Sequence, residues 1–105
     1  MAEIETNNDF AEKVLKFTGL ALVEFYSETC VPCKRMAPVL TEIENEYPQG
    51  LLVAKVNVSR DIAPIREYNI TAVPTILLFK NGEVVERVAG VLKKEELERL
   101  ISLHS

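Results

Sequence analysis

The sequence predicts an α/β fold, a five-stranded mixed sheet flanked by four helices, formed by a single domain over residues 1–105. Strand-like and helix-like segments alternate along the chain in the order β-α-β-α-β-α-β-β-α. Helical crossovers join the first three strands, which should therefore be parallel. An Asn-Gly pair between the last two strands predicts an antiparallel hairpin. A chain of 105 residues is long enough to bury one hydrophobic core.

The first two elements are a short strand and a helix. The strand is predicted to start at Ile4, and the polar residues 6–8 that follow are candidate N-caps. Apolar residues then recur with the spacing of one helical face, at Phe10, Val14 and Phe17. Gly19 is predicted to end this helix, because glycine readily adopts the left-handed conformation of a helix C-terminus.

Two nearly continuous apolar runs predict central strands that are covered on both faces. They span residues 20–26 and 51–58. A long helix between them is predicted to reach about Tyr47, with an apolar stripe on its inner face. Pro38 falls inside this helix, and because it removes one backbone hydrogen bond, we expect a kink there.

The third helix is short. Ser59 is predicted to cap its N-terminus, and the helix is expected to reach Tyr68. Pro64 is expected to disturb it, because proline lacks the backbone N–H that a helix interior needs. Asn69 is predicted to adopt a left-handed conformation at the C-terminal end.

The last three elements are a hairpin and a helix. Residues 75–79 and 83–88 form two apolar runs around Lys80-Asn81-Gly82, which is typical of a tight β-turn. In the final helix, one apolar face is formed by Leu97, Leu100 and Ile101.

Composition limits the class of protein and its partners. With 48% hydrophobic and 27% charged residues, the chain has the profile of a soluble globular protein. The net charge of -4 argues against nucleic acid and anionic membranes, which attract basic surfaces. No apolar run approaches the ~20 residues that span a bilayer, and the acidic N-terminus does not resemble a signal peptide. We therefore expect a cytoplasmic protein.

Both cysteines lie in one motif, Cys30-Val31-Pro32-Cys33, directly after a predicted strand. A disulfide across two residues closes a small loop and removes little chain entropy, so the spacing favours reactivity over stabilisation. A thiol at a helix N-terminus ionises more readily, and Lys34 adds a positive charge nearby. Cys30, at the exposed start of the helix, is predicted to attack a disulfide, and the more buried Cys33 to resolve the mixed disulfide.

Two other interpretations of the motif remain open. A structural disulfide is one, although reducing compartments disfavour it. A metal site is the other, but zinc needs about four ligands and the only histidine is His104, near the C-terminus. A zinc ion could still be shared between two chains, each contributing both cysteines.

Three segments resemble the thioredoxin family and together cover nearly the whole chain. LVEFYSETCVPCKRMAPVL is similar to the family's active-site strand, motif and helix. LLVAKVNVSR is similar to the next strand, and NITAVPTILLFKNGEVVERVAG to the cis-proline turn and hairpin. The resemblance implies a thioredoxin fold and an oxidoreductase that reduces protein disulfides through a redox-active Cys30–Cys33 disulfide, with no other cofactor and no metal. It implies electron transport from a thioredoxin reductase to disulfide-containing proteins, and we expect a monomer.

The resemblance also implies several binding residues. Pro74 matches the family's cis-proline, which packs against the disulfide, and the Val73 backbone would pair with an extended segment of substrate. Pro32 would support the motif in the first helical turn. The rim of the apolar contact surface would be formed by Val31, Val73, Gly90 and Val91.

Glu24 and Lys55 are charged residues within the two central strands. One interpretation is an ion pair that reaches solvent at the strand ends, because burying charges is costly. The other follows from the resemblance: Glu24 matches a buried acid that moves the proton of the second cysteine, and Lys55 matches the lysine beside it. Burial would raise the pKa of such an acid. The family usually has Asp there, and Glu is one methylene longer.

Other departures from the family pattern lie around the motif. Val31 replaces a glycine, and Tyr26 and Thr29 stand where tryptophans are common. Two alternative functions therefore remain: a disulfide oxidase or isomerase of the same fold, and a non-catalytic binding module in which redox chemistry is incidental. An oxidase needs a much more stabilised Cys30 thiolate, and no histidine near the motif would provide it.

Overall fold

The computed structural model describes residues 1–105 and contains five strands and four α-helices. The strands are β1 (Ala2–Ile4), β2 (Leu20–Tyr26), β3 (Leu51–Asn57), β4 (Thr75–Lys80) and β5 (Glu83–Ala89). The α-helices are α1 (Asn7–Phe10), α2 (Val31–Glu46), α3 (Ala63–Glu67) and α4 (Lys94–His104), and a π-helical segment, Ala11–Leu15, directly continues α1. The predicted order of elements is confirmed.

The five strands form one mixed sheet in the order β1-β3-β2-β4-β5. β1, β3 and β2 are parallel, whereas β4 is antiparallel to β2 and β5 is antiparallel to β4. The predicted fold class is therefore confirmed. Parallel strands are joined by helices that cover the sheet, and for this reason β2 is apolar at almost every position.

The sheet separates two hydrophobic cores. On one face, the first helical segment packs against alternate residues of the strands, and Phe10, Tyr68 and Phe79 pack with ring centroids 5.6–6.1 Å apart. On the other face lie α2 and α4, whose buried residues include Met36, Leu40, Ile43, Leu97 and Ile101. α2 continues through Pro38, whose ring nitrogen has no hydrogen for the carbonyl one turn earlier. These contacts fix α2 above the centre of the sheet.

The first strand and helix differ from the prediction at their boundaries. Ile4 ends β1 instead of starting it, because the strand is defined by its pairing with β3 and not by its own apolarity. Thr6 caps α1, since its Oγ1 accepts a hydrogen bond of 3.0 Å from the Asp9 amide. The α-helix then widens into the π-helical segment, in which the Lys16 amide donates to the Ala11 carbonyl at 3.0 Å. The spacing of the apolar residues did not distinguish an α-helix from a π-helix.

The predicted cap of the third helix is wrong. Ser59 lies in the turn after β3, where its amide donates to Asn57 Oδ1 at 3.0 Å. α3 begins at Ala63, whose amide donates at 2.8 Å to Oδ1 of Asn7 on α1. Pro64 occupies the first turn, where its missing N–H costs no hydrogen bond, so it is compatible with the helix instead of disturbing it.

The predicted turn conformations are confirmed. Asn69 has φ of 51° after α3, and Asn81 and Gly82 have φ of 51° and 85° between β4 and β5. Asn81 Oδ1 also accepts a hydrogen bond of 2.8 Å from the Gly19 amide. A Cβ on Gly82 would lie 2.5 Å from the Leu15 carbonyl oxygen, so this turn packs directly on the end of the first helical segment.

Candidate active site

The cysteine motif lies where the central strand β2 passes into α2. β2 ends at Tyr26, and Cys30 is the N-cap of α2, with extended backbone angles. The Cys33 amide donates to Cys30 Sγ at 3.1 Å, and Pro32 lies in the first turn, where no N–H is required. Cys30 and Cys33 form a disulfide with Cα atoms 5.2 Å apart. Negative charge that develops on Cys30 Sγ would therefore face the N–H groups of the helix terminus.

The two sulfur-bearing residues are both well covered. Cys30 is 9% exposed and Cys33 is 5% exposed, so Cys33 is the more buried of the two. The prediction that Cys30 lies in an exposed position is wrong for this disulfide form. Its N-cap geometry turns Sγ back over the first turn of α2, where it meets the Cys33 amide and sulfur.

The turn before β4 lies at the same edge of the sheet as the motif. The Val73–Pro74 peptide bond is cis. Thr75, the next residue, pairs with Phe25 near the end of β2. From that end of β2 the chain continues to Cys30. The Gly90 amide donates to the Pro74 carbonyl at 2.8 Å and joins this turn to the end of β5.

Two exposed apolar residues belong to the neighbourhood of the motif. Val31 opens α2, and Val91 follows the last strand. The Leu92 amide donates to Met36 Sδ at 3.3 Å, which ties the segment around Val91 to α2. Exposed valines near the disulfide are suited to contacting an apolar protein surface.

Glu24 is a buried carboxyl group near the motif. It is 4% exposed, and its Oε2 has no hydrogen-bond partner in the protein. A cleft of about 270 Å³ is lined by both Glu24 and Cys33. Desolvation raises the pKa of Glu24 to about 7, and the opposing attraction of Lys55 is the smaller effect. The interpretation of Glu24 as a solvent-reaching partner of an ion pair is therefore wrong.

Lys55 is the cross-strand neighbour of Glu24 and lines the same cleft. Its ammonium group, however, pairs with a different carboxylate, Glu3, with Nζ 3.8 Å from Oε1. The Nζ atom also lies 5.1 Å from the centroid of the Tyr26 ring, a distance at which a cation is attracted to an aromatic face.

Sequence reasoning missed Glu3 as part of this environment. The Tyr26 hydroxyl donates to the Glu3 carboxylate, with distances of 3.0 and 3.1 Å to its two oxygens. Burial and this carboxylate raise the pKa of Tyr26 to about 12. Only the pairing of β1 beside β3 could have indicated Glu3, and a three-residue strand carries no such signal in its own sequence.

The other predicted properties concern metals and membranes. No group of three or more His, Cys, Asp or Glu side chains is arranged to hold a metal ion. His104 instead lies with Nε2 2.7 Å from Glu86 Oε2. None of the helices combines the length and the hydrophobicity that a membrane crossing demands. Zinc shared between two chains stays a hypothesis.

Comparison with known proteins gives one consistent result. The family model described as Thioredoxin matches residues 1–103. A thioredoxin of Chlamydia caviae is 44% identical over 88 residues, which are 84% of this chain and 85% of the relative. A thioredoxin of Chlamydia trachomatis is 36% identical over 104 residues, 99% of each chain. A probable thioredoxin-2 of Caenorhabditis elegans is 38% identical over 99 residues, 94% of this chain and 68% of the relative.

Proposed function

The chain belongs to the thioredoxin family and is a thiol–disulfide oxidoreductase, and from this premise we propose that Cys30 is the attacking thiol and Cys33 the resolving thiol in the reduction of protein disulfides. The observation that carries this assignment is the position of Cys30 as N-cap of α2, with the Cys33 amide on its sulfur at 3.1 Å. Each cysteine therefore has a distinct chemical environment within one turn of helix.

In the first step, the Cys30 thiolate attacks one sulfur of the substrate disulfide. A bond forms between Cys30 Sγ and that sulfur, the substrate S–S bond breaks, and the other substrate sulfur leaves as a thiolate. The N–H groups at the start of α2 favour the Cys30 anion and so raise the fraction of the reactive species. Helix position, and not a neighbouring histidine, is the source of this activation, because the only histidine lies on α4.

In the second step, Cys33 loses its proton and attacks Cys30 Sγ, which releases the substrate as a dithiol. The protein keeps the Cys30–Cys33 disulfide, so two electrons have passed to the substrate. We assign acceptance of the Cys33 proton to the Glu24 carboxylate, because both residues line the same cleft. A pKa of about 7 suits this role, since the carboxyl can accept and return a proton near neutral pH.

The substrate surface would surround the motif. Val31 and Val91 are exposed and apolar, and the Val73 backbone precedes the Pro74 turn at the same edge of the sheet. An extended substrate segment could add to that backbone as a strand would, while the valines contact its side chains. Thr29, where the family commonly has a tryptophan, removes a large contact, so partner choice should depend more strongly on these valines.

Electrons would come from a thioredoxin reductase, which returns Cys30 and Cys33 to the dithiol form between cycles. The protein would then act as a soluble electron carrier in the cytoplasm, the compartment in which reduced thiols are maintained. No cofactor beyond the cysteine pair takes part in this cycle.

Trapping of the mixed disulfide tests the assignment of the two cysteines. Reduced Cys33→Ser protein, mixed with insulin, should accumulate a covalent adduct through Cys30, detected by mass spectrometry under non-reducing conditions. Cys30→Ser is the matched control, since it also leaves one thiol in the motif, and it should form no such adduct. With dithiothreitol as electron source, insulin reduction by Cys30→Ser should fall to the uncatalysed rate.

Other outcomes would favour the alternatives. An adduct on Cys30→Ser but not on Cys33→Ser would reverse the two roles. Equal rates of insulin reduction by wild type and Cys30→Ser would indicate a binding module whose redox chemistry is incidental. Equilibration with glutathione separates the remaining case, because a disulfide that glutathione reduces readily would indicate an oxidase or isomerase.

A further inference from the structure

Three charged residues form a row across adjacent parallel strands on one face of the sheet. Glu3 on β1 pairs in register with Lys55 on β3, and Lys55 pairs in register with Glu24 on β2. Residues directly opposite each other in a sheet project from the same face. A single ammonium group therefore lies between two carboxyl groups, one at the sheet edge and one in its centre.

The ammonium group is not shared equally between them. Lys55 Nζ lies 3.8 Å from Glu3 Oε1, and the side chains of both residues are about one-third exposed, at 34% and 32%. No ion pair joins Lys55 to Glu24, whose Oε2 has no partner. Because an ammonium loses more hydration the deeper it lies, pairing at the partly hydrated edge is less costly than pairing in the buried centre.

Tyr26 holds the outer carboxylate in place. It lies two residues after Glu24 on β2, and so on the same face. Its hydroxyl donates to the Glu3 carboxylate at 3.0 Å, and its ring lies under the Lys55 ammonium at 5.1 Å. The hydroxyl thus holds the Glu3 carboxylate, and the ring attracts the Lys55 ammonium that pairs with it.

We propose that Glu3 is a positioning residue that keeps the Lys55 ammonium away from the Glu24 carboxyl. The inference rests on the proposed role of Glu24 as acceptor of the Cys33 proton. Without Glu3, Lys55 would turn to Glu24, the nearest remaining acid in the row, and stabilise its carboxylate. The stabilised carboxylate would be a weaker base for Cys33, and Glu24 would titrate at lower pH.

Four other ionisable groups line the cleft in the oxidised protein, in which Cys33 is bonded to Cys30. They are Tyr26, whose hydroxyl donates to Glu3, the Met1 ammonium, which pairs with Glu44 at 2.9 Å, and Glu28 and Lys34. β4 contributes Ile76 opposite Glu24 and no charge. Glu3 is the acidic side chain that pairs with Lys55, whereas Glu28, which also lines the cleft, accepts a hydrogen bond from Asn57.

The test is a pH titration of the Glu24 carboxyl carbon by NMR in the oxidised protein. In Glu3→Gln, which preserves side-chain size, the Glu24 pKa should fall by about one unit relative to wild type. Glu12→Gln is the matched control, because it removes an equal charge from an exposed pair with Lys16. That variant should leave the Glu24 pKa unchanged. An unchanged pKa in Glu3→Gln would overturn the proposal.

A double-mutant comparison separates positioning from direct repulsion, because removing the Glu3 charge also lowers the Glu24 pKa without any movement of Lys55. In a Lys55→Met background, or Lys55→Gln if that variant folds better, Glu3→Gln should have almost no effect. The same one-unit fall in both backgrounds would show that Lys55 is not involved and would overturn the proposal.

The catalytic consequence is measured separately. The pH midpoint of the resolving step should fall in Glu3→Gln by the same amount as the Glu24 pKa. If the pKa falls as expected but the resolving step does not respond, the positioning role stands and the proposed role of Glu24 fails. If Glu24→Gln slows the resolving step but Glu3→Gln leaves the Glu24 pKa unchanged, the proposed role of Glu24 stands and the positioning role of Glu3 fails.

Discussion

Replacing Glu24 by glutamine is expected to remove a pH dependence from the stability of the fold. The Glu24 carboxyl is 4% exposed and its Oε2 lacks a hydrogen-bond partner, so the charged form is poorly solvated in the folded state. Desolvation raises its pKa from 4.5 to about 7. Glutamine has nearly the same shape and stays neutral at every pH.

The magnitude follows from the two pKa values. Between pH 4.5 and about 7 the folded protein retains a proton on Glu24 that the unfolded chain has released. Stability from this group is therefore fully present below pH 4.5 and declines as pH rises through the folded pKa. At about 1.4 kcal/mol for each unit, the interval amounts to about 3 kcal/mol lost above pH 7.

Urea unfolding of the oxidised protein measures this quantity. The free energy of unfolding is determined for wild type and Glu24→Gln at a series of pH values from below 4.5 to above 7. The difference should change by about 3 kcal/mol in favour of Glu24→Gln as pH rises. A constant offset from amide burial does not alter the pH dependence of this difference, and the titration of groups common to both proteins cancels in it.

Parallel curves would refute this reasoning. If the two free energies keep a constant difference across the pH range, the Glu24 carboxyl ionises in the fold as it does in the unfolded chain. Desolvation would then be compensated by a closer approach of Lys55. Glu12→Gln, which alters an exposed carboxylate, is the control and should run parallel to wild type.

Two further predictions concern turnover and the hairpin. Glu24→Gln should slow the resolving step about a hundredfold at neutral pH, the usual contribution of a general base, while the first attack by Cys30 changes little. Rapid mixing with a disulfide substrate would then show that the mixed disulfide accumulates. Equal slowing of both steps would contradict the role of Glu24 in proton transfer. Gly82→Ala should destabilise the fold by at least about 2 kcal/mol, because the added Cβ would lie 2.5 Å from the Leu15 carbonyl oxygen. Gly50 has the same φ of 85° but open space around it, so Gly50→Ala should cost only about 1 kcal/mol. If the two variants lowered Tm equally, the steric contact at Gly82 would not be the cause.

Much of the fold could be predicted from the chain because its signals are local. The apolar run of residues 20–26, the Asn81-Gly82 turn and the cysteine motif each depend on neighbours within a few positions. The errors arose where a distant residue supplies the missing group. Asn7 caps α3 across 56 residues, so Ser59, the local candidate, is free to bond within its own turn.

In the candidate site, too, the features that depend on neighbouring residues were predicted and those that depend on distant residues were not. The motif predicts the pairing of two thiols and their order along the helix, because these depend on one turn of α2. The burial of Cys30 was not predicted, since coverage of its sulfur depends on how the chain folds back around the disulfide. Glu24 stood out as a charge in an apolar strand, but its separation from Lys55 depends on Glu3, which reaches the site through the pairing of β1 with β3.

The sequence by itself determined the α/β class, the family and the chemistry of the cysteine pair, because apolar periodicity, turn residues and CxxC spacing are properties of consecutive residues. Only the tertiary structure decided the electrostatics around that pair. A carboxyl group takes its proton affinity from burial and from neighbouring charges, and Glu24, Lys55 and Glu3 come from three strands that are distant in the chain. The row of Glu3, Lys55 and Glu24 exists only once those strands lie side by side.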